Sequence, residues 1–205
     1  MCCEFIGSGF SSLKTSLMDV IKSDGQGGIA EPPRGLAVKS GSVYVARRWS
    51  PEIEIYRISN SKVDVSTRKT YTLAGCQRPD DLVASCTDNV IYILAWVASN
   101  EQVVLTVSCD TGKVLASWPV VKMPHRLSVY SGNNTVLAAC QDGLRTYSSS
   151  GLLNYIIPIK VNAGPLWHAV QIPTHSSCSD ISRFDHFYAH LLTGLTRFLG
   201  STPER

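Results

Sequence analysis

Asp80-Asp81 and the pair His186/His190 come nearest to chemistry in this chain by residue type and spacing. Two adjacent carboxylates could hold a divalent cation. Two histidines four apart could share a metal on one helix face. Neither set is completed, because no third ligand and no flanking glutamate base accompanies the histidines. A solvated strand start for the aspartates and a solvated helix face for the histidines are the favoured readings. Phosphate and nucleophile chemistry is missing as well. There is no Walker loop, and Gly7-Ser8-Gly9 lacks the third glycine of a dinucleotide fingerprint. No G-x-S-x-G elbow occurs. The chain is therefore expected to be no enzyme, to use no cofactor and to hold no metal.

Composition narrows the class. The 205 residues are 44% apolar and 17% charged, the profile of a globular protein with one sizeable core or two small ones. The longest apolar runs, such as residues 91–98, fall far short of the roughly 20 needed to cross a bilayer. No basic, then apolar, secretory leader opens the chain, so a cytoplasmic protein without membrane contact is expected. The net charge of +3 is spread along the sequence, with no basic tract that would announce nucleic acid. Seven cysteines are an odd number without C-x-x-C spacing, which favours reduced thiols over disulfides or zinc. Cys86 and Cys140 lie within apolar strand-like runs and are expected to be buried as small hydrophobes.

The elements that must position any site are set by a repeat. Pro33, Pro79, Pro124 and Pro165 recur about every 45 residues, a period of propeller or solenoid arrays. Pro33-Arg-Gly-Leu-Ala-Val is echoed by Pro79-Asp-Asp-Leu-Val-Ala, Pro124-His-Arg-Leu-Ser-Val and Pro165-Leu-Trp-His-Ala-Val. A second apolar run follows each of the first three: Val43-Tyr44-Val45, Val90 to Ile93 and Val136 to Ala138. The second unit gives strands over 80–85, 90–97, 103–108 and 114–118, joined by polar turns. Four short strands per repeat describe a propeller blade.

The expected fold class is all-β: a partial β-propeller of four-stranded antiparallel blades, with a C-terminal amphipathic helix. The blades span 33–78, 79–123 and 124–164, and a fourth begins at 165–173. Residues 1–32 form an N-terminal segment, either a helix or the outer strand of a preceding blade. Residues 174–205 form a helical tail, because from Phe184 the apolar positions follow helical spacing to Leu199. That helix, over 183–199, is expected to pack on the open end of the array.

The repeat resembles the NHL class of β-propellers, in the proline, the polar step and the Leu-Ala-Val and Val-Tyr-Val strands. Pro33 to Val38 with Val43 to Val45 is the best match, and the resemblance covers about residues 30–172. No Trp-Asp pair ends a strand and no Gly-His opens a blade, which argues against the WD-repeat class. The resemblance implies about six blades in a closed ring. Three and a part suggest a truncated array, prone to self-association through open blade edges.

The residues after each proline enter the innermost strand and should ring one channel mouth. They are Arg34, Asp80, Asp81, His125, Arg126, Trp167 and His168. Arg and Trp are the types that most often anchor interfaces. The function expected is non-catalytic binding of a protein partner by a propeller platform. Three alternatives stand beside it. One is RNA binding through Arg34, Arg47, Arg48, Trp49 and Arg126. The second is a lactonase-like, metal-dependent hydrolase using Asp80 or Asp81. The third is a fragment without independent function.

Overall fold

The computed structural model describes residues 33–47, 49–130 and 134–159, together with the backbones of two further strands at 168–171 and 187–190. The described residues are all-β. They divide into two compact units, up to Val121 and from Lys122 onward.

The first unit holds two four-stranded antiparallel sheets. One consists of β1 (Pro33–Lys39), β2 (Ser42–Arg47), β3 (Glu52–Ser59) and β4 (Lys62–Thr72), in that spatial order. The other consists of β5 (Cys76–Ala84), β6 (Val90–Val97), β7 (Gln102–Ser108) and β8 (Val114–Pro119), again in sequence order. Each neighbour is reached by a short turn, so pairing follows the chain. The Asn60-Ser61 turn between β3 and β4 has positive φ at both residues, as a twisted two-residue hairpin requires.

Strand alternation decides what each sheet buries. Tyr44, Ala46, Ile53 and Ile55 of the first sheet join Leu82, Ile91, Ile93, Ala95 and Leu105 of the second in one core. Val43, Val45, Tyr56 and Val63 form a separate cluster. They are buried too, while Val38 of β1 and Val65 of β4 are exposed.

The two inner strands touch through their main chains. A Cβ on Gly35 of β1 would lie 2.5 Å from the Leu82 nitrogen and 2.8 Å from the Asp81 Cα of β5. Only glycine fits. Gly35→Ala must push two backbones apart, which for overpacked sites costs about 1–3 kcal/mol. A thermal melt should show the loss; an unchanged melting temperature would mean the strands do not meet there. The outer strands are latched separately. The Tyr71 ring of β4 lies against Gly112 in the β7–β8 hairpin, where φ is +68° and a Cβ would strike the ring. The Tyr71 hydroxyl donates to the Asp110 carbonyl at 3.2 Å.

In the second unit, β9 (Arg126–Tyr130), β10 (Thr135–Cys140), β11 (Gly143–Tyr147) and β12 (Leu153–Pro158) form a third four-stranded antiparallel sheet. Leu137, Ala139 and Leu144 make its buried cluster. Leu153, Tyr155 and Ile156 of β12 are exposed. In the first unit, Val103, Val104 and Leu105 of β7 are buried.

Three expectations need correction. First, Pro79 does not open a strand. It sits inside β5, between register shifts at Cys76/Arg78 and Pro79/Asp81, where a residue without an N–H is tolerated in the ladder. Second, Cys140 is fully buried but Cys86 is only half-buried, because it falls in the β5–β6 turn. Third, the described part of the expected 183–199 helix is a strand, β14 (Phe187–His190), paired antiparallel with β13 (His168–Gln171). A short isolated helix is marginal in water, whereas an open strand edge offers a ladder of donors and acceptors. The rest of 183–199, and the N-terminal segment 1–32, lie outside the described residues.

Candidate functional site

The site gathers where β5, β6 and β7 run side by side. The register sets Arg78 opposite Trp96, and Trp96 opposite Gln102, so three side chains from three strands form one row. The register shift after Pro79 inserts an extra residue, Asp80, beside that row. The loop between β2 and β3 adds Trp49, which is 57% exposed.

Arg78 lies over two indole rings. Its guanidinium carbon is 5.5 Å from the Trp49 ring centre and 5.1 Å from that of Trp96. The cation is attracted to both ring faces, an effect that grows as water is excluded. Asp80 ties the row together from one side. One carboxylate oxygen accepts hydrogen bonds from the Trp96 indole N–H and, at 3.2 Å, from the Gln102 side-chain amide. The other oxygen lies 3.8 Å from Arg78 Nε, an ion pair without a close hydrogen bond. Nearby, burial first and the Asp80 charge second push the Cys76 thiol up to about 12, so it stays protonated at neutral pH.

The residues expected at a channel mouth separate into two sets. In the first unit, Arg34 is half-buried in β1 beside Gly35, and Gly35 backs onto the Asp81 main chain. Asp81 is buried, while Asp80 belongs to the tryptophan–arginine row. In the second unit, the His125 N–H donates to the Ala139 carbonyl at 2.8 Å and Arg126 opens β9, both half-buried. His168 opens β13 opposite His190. Trp167 lies outside the described residues. Arg78, Trp96 and Gln102 were missed, since nothing in their spacing along the chain shows that the register sets them abreast. The one local signal was the arginine immediately before Pro79.

The alternatives meet specific obstacles. Arg47, one of the expected RNA contacts, is buried against Glu54 at 2.8 Å. Arg48 lies outside the described residues, and Trp49 covers Arg78. Among the described residues, no three His, Cys, Asp or Glu side chains converge to hold a metal. Asp80 spends one oxygen on Trp96 and Gln102. Among the same residues, no helix is long and apolar enough to cross a membrane.

No protein-family model and no curated protein matches the chain. Solved structures do. The WD40 β-propeller domain of Doa1 superposes with a TM-score of 0.52 at 17% identity, covering 71% of this chain and 46% of that one. The computationally designed Ika4 protein gives 0.53 at 15% identity, over 86% of this chain and 95% of that one. Kuenenia stuttgartiensis hydrazine synthase gives 0.53 at 12% identity, over 79% and 50%. The chain thus spans about half the length of the Doa1 and hydrazine synthase chains. At such identities the likeness speaks to architecture alone. Three antiparallel four-stranded sheets with these neighbours make the chain a partial β-propeller.

Proposed function

We propose that the chain is a non-catalytic platform that binds a protein partner through the Trp49–Arg78–Trp96 row. The observation that carries this reading is a largely exposed tryptophan ring against an arginine that also lies over a second tryptophan ring. Tryptophan and arginine are the side chains on which interface energy concentrates, above all where they are already rigid. The proline-led repeat supports assigning the blades to the NHL class. The odd cysteine count and the buried free thiols of Cys76, Cys109 and Cys140 support a reducing, cytosolic setting.

A photo-crosslinking amino acid at position 49, compared with one at exposed Leu115 on β8, tests the reading. Position 49 should capture a protein that position 115 does not, and the purified pair should bind. Trp49→Ala should then weaken that binding by at least about tenfold, the scale of a hot-spot residue. Loss of less than twofold would remove the row from the interface. Capture of RNA instead, or lactone hydrolysis abolished by Asp80→Asn, would replace the platform with one of its rivals.

A further inference from the structure

We propose that Arg78 is a receptor for a carboxylate, and that the partner presents an acidic peptide segment to it. This rests on the platform reading above and names the chemistry of its ligand. The Arg78 guanidinium is held by two indoles and one carboxylate. Its carbon lies over two indole rings, those of Trp49 and Trp96, at 5.5 and 5.1 Å from their centres. The Nε edge is buried and turned toward Asp80 at 3.8 Å, with no hydrogen-bond acceptor among the described residues. That leaves the terminal amidino edge, on a side chain still 33% exposed. Among the described residues no acceptor bonds that edge. Two parallel N–H groups held at fixed orientation match the two oxygens of a carboxylate. The stacking has already removed the rotamer freedom that a surface arginine would lose on binding.

The choice of a carboxylate over a phosphate follows from charge. The one guanidinium is already opposed by Asp80 at its Nε side. A singly charged carboxylate can be matched by such a site, while a phosphate dianion or a phosphodiester chain would bring more charge than a single fork beside an aspartate can balance. RNA would also need aromatic faces open for stacking along a basic groove. One face of Trp49 is taken by Arg78, and Arg47 is spent on Glu54.

The test uses the full chain and defined probes: fluorescein-labelled (Glu-Ala)5, its (Gln-Ala)5 counterpart and a ten-nucleotide polyuridine RNA. Binding is read by anisotropy and by quenching of tryptophan emission. The glutamate peptide should bind at least about tenfold more tightly than the glutamine peptide. Arg78→Lys keeps the charge but not the fork, and should lose about tenfold. Lys113→Gln, which removes a charge elsewhere, should leave binding unchanged. Equal binding of the two peptides overturns the proposal, as does an Arg78→Lys chain that melts and binds like the parent. Tighter binding of the RNA overturns it in favour of a nucleic acid. The two readings fail separately: a partner captured at position 49 whose affinity ignores Arg78→Lys sinks the carboxylate receptor and leaves the platform standing.

Discussion

Glu54→Ala should destabilise the first unit by about 3–5 kcal/mol, the cost of leaving a buried charge without its partner. Glu54 is 5% exposed and stands between three donors. Arg47 Nε and a terminal nitrogen each reach one carboxylate oxygen at 2.8 Å, and the Tyr56 hydroxyl donates to the same atom at 3.0 Å. Arg68 reaches the other oxygen at 2.8 Å, from a point just past the β3–β4 register shift. Arg47 is 6% exposed and would lose the carboxylate that balances its charge. Burial, and then the Glu54 charge, also hold the Tyr56 hydroxyl protonated above its ordinary range. The pair being intact is not itself evidence of large net stabilisation, since two desolvated charges nearly cancel their attraction. Replacing Arg47 by Met and Glu54 by Leu together should therefore recover most of the loss. Urea unfolding of the single and double variants measures both quantities. A single-variant loss below about 1 kcal/mol would place Glu54 among exposed ion pairs and contradict its burial.

What the sequence revealed and what it hid divide along one line: local periodicity against register. The proline period and the paired apolar runs gave the three sheets and their strand order, because neighbours along the chain are neighbours in each sheet. Val90–Val97 was legible as a strand from its β-branched and aromatic residues alone. The bulges were not legible, and they decide where side chains aim. A shift of one residue turns a side chain to the other face, so Asp80 and Arg78 could not be placed beside Trp96 from spacing. Arg47 illustrates the same point. In the sequence it belonged with Arg48 and Trp49 as a basic aromatic patch, but β2 turns it to the Glu54 side of the sheet. At Phe187–His190, helical spacing competed with an available strand edge and lost.

Ile93→Ala should cost the first unit about 2–5 kcal/mol, the range for deleting a buried isoleucine side chain to alanine. Ile93 lies in the middle of β6, opposite Leu82 on one side and Leu105 on the other, with no exposed surface. It belongs to the same cluster as Ile53 and Ile55 of the first sheet, so its side chain helps join two blades as well as three strands. Collapse into the cavity is hindered on the inner side, because Gly35 already sits against the Asp81–Leu82 backbone. A site that cannot relax keeps its void, which places the expected loss toward the upper end of the range. Ile93→Val, which deletes one methylene, should cost only about 0.5–1.5 kcal/mol. Leu115→Ala on β8, where the leucine is 60% exposed, should stay within about 0.5 kcal/mol of the parent. The ordering of the three variants in urea unfolding is the measurement. If Ile93→Ala fell no further than Leu115→Ala, the two sheets would not share a core. The row of Trp49, Arg78 and Trp96 would then lose the framework that holds a loop of the first blade over the strands of the second.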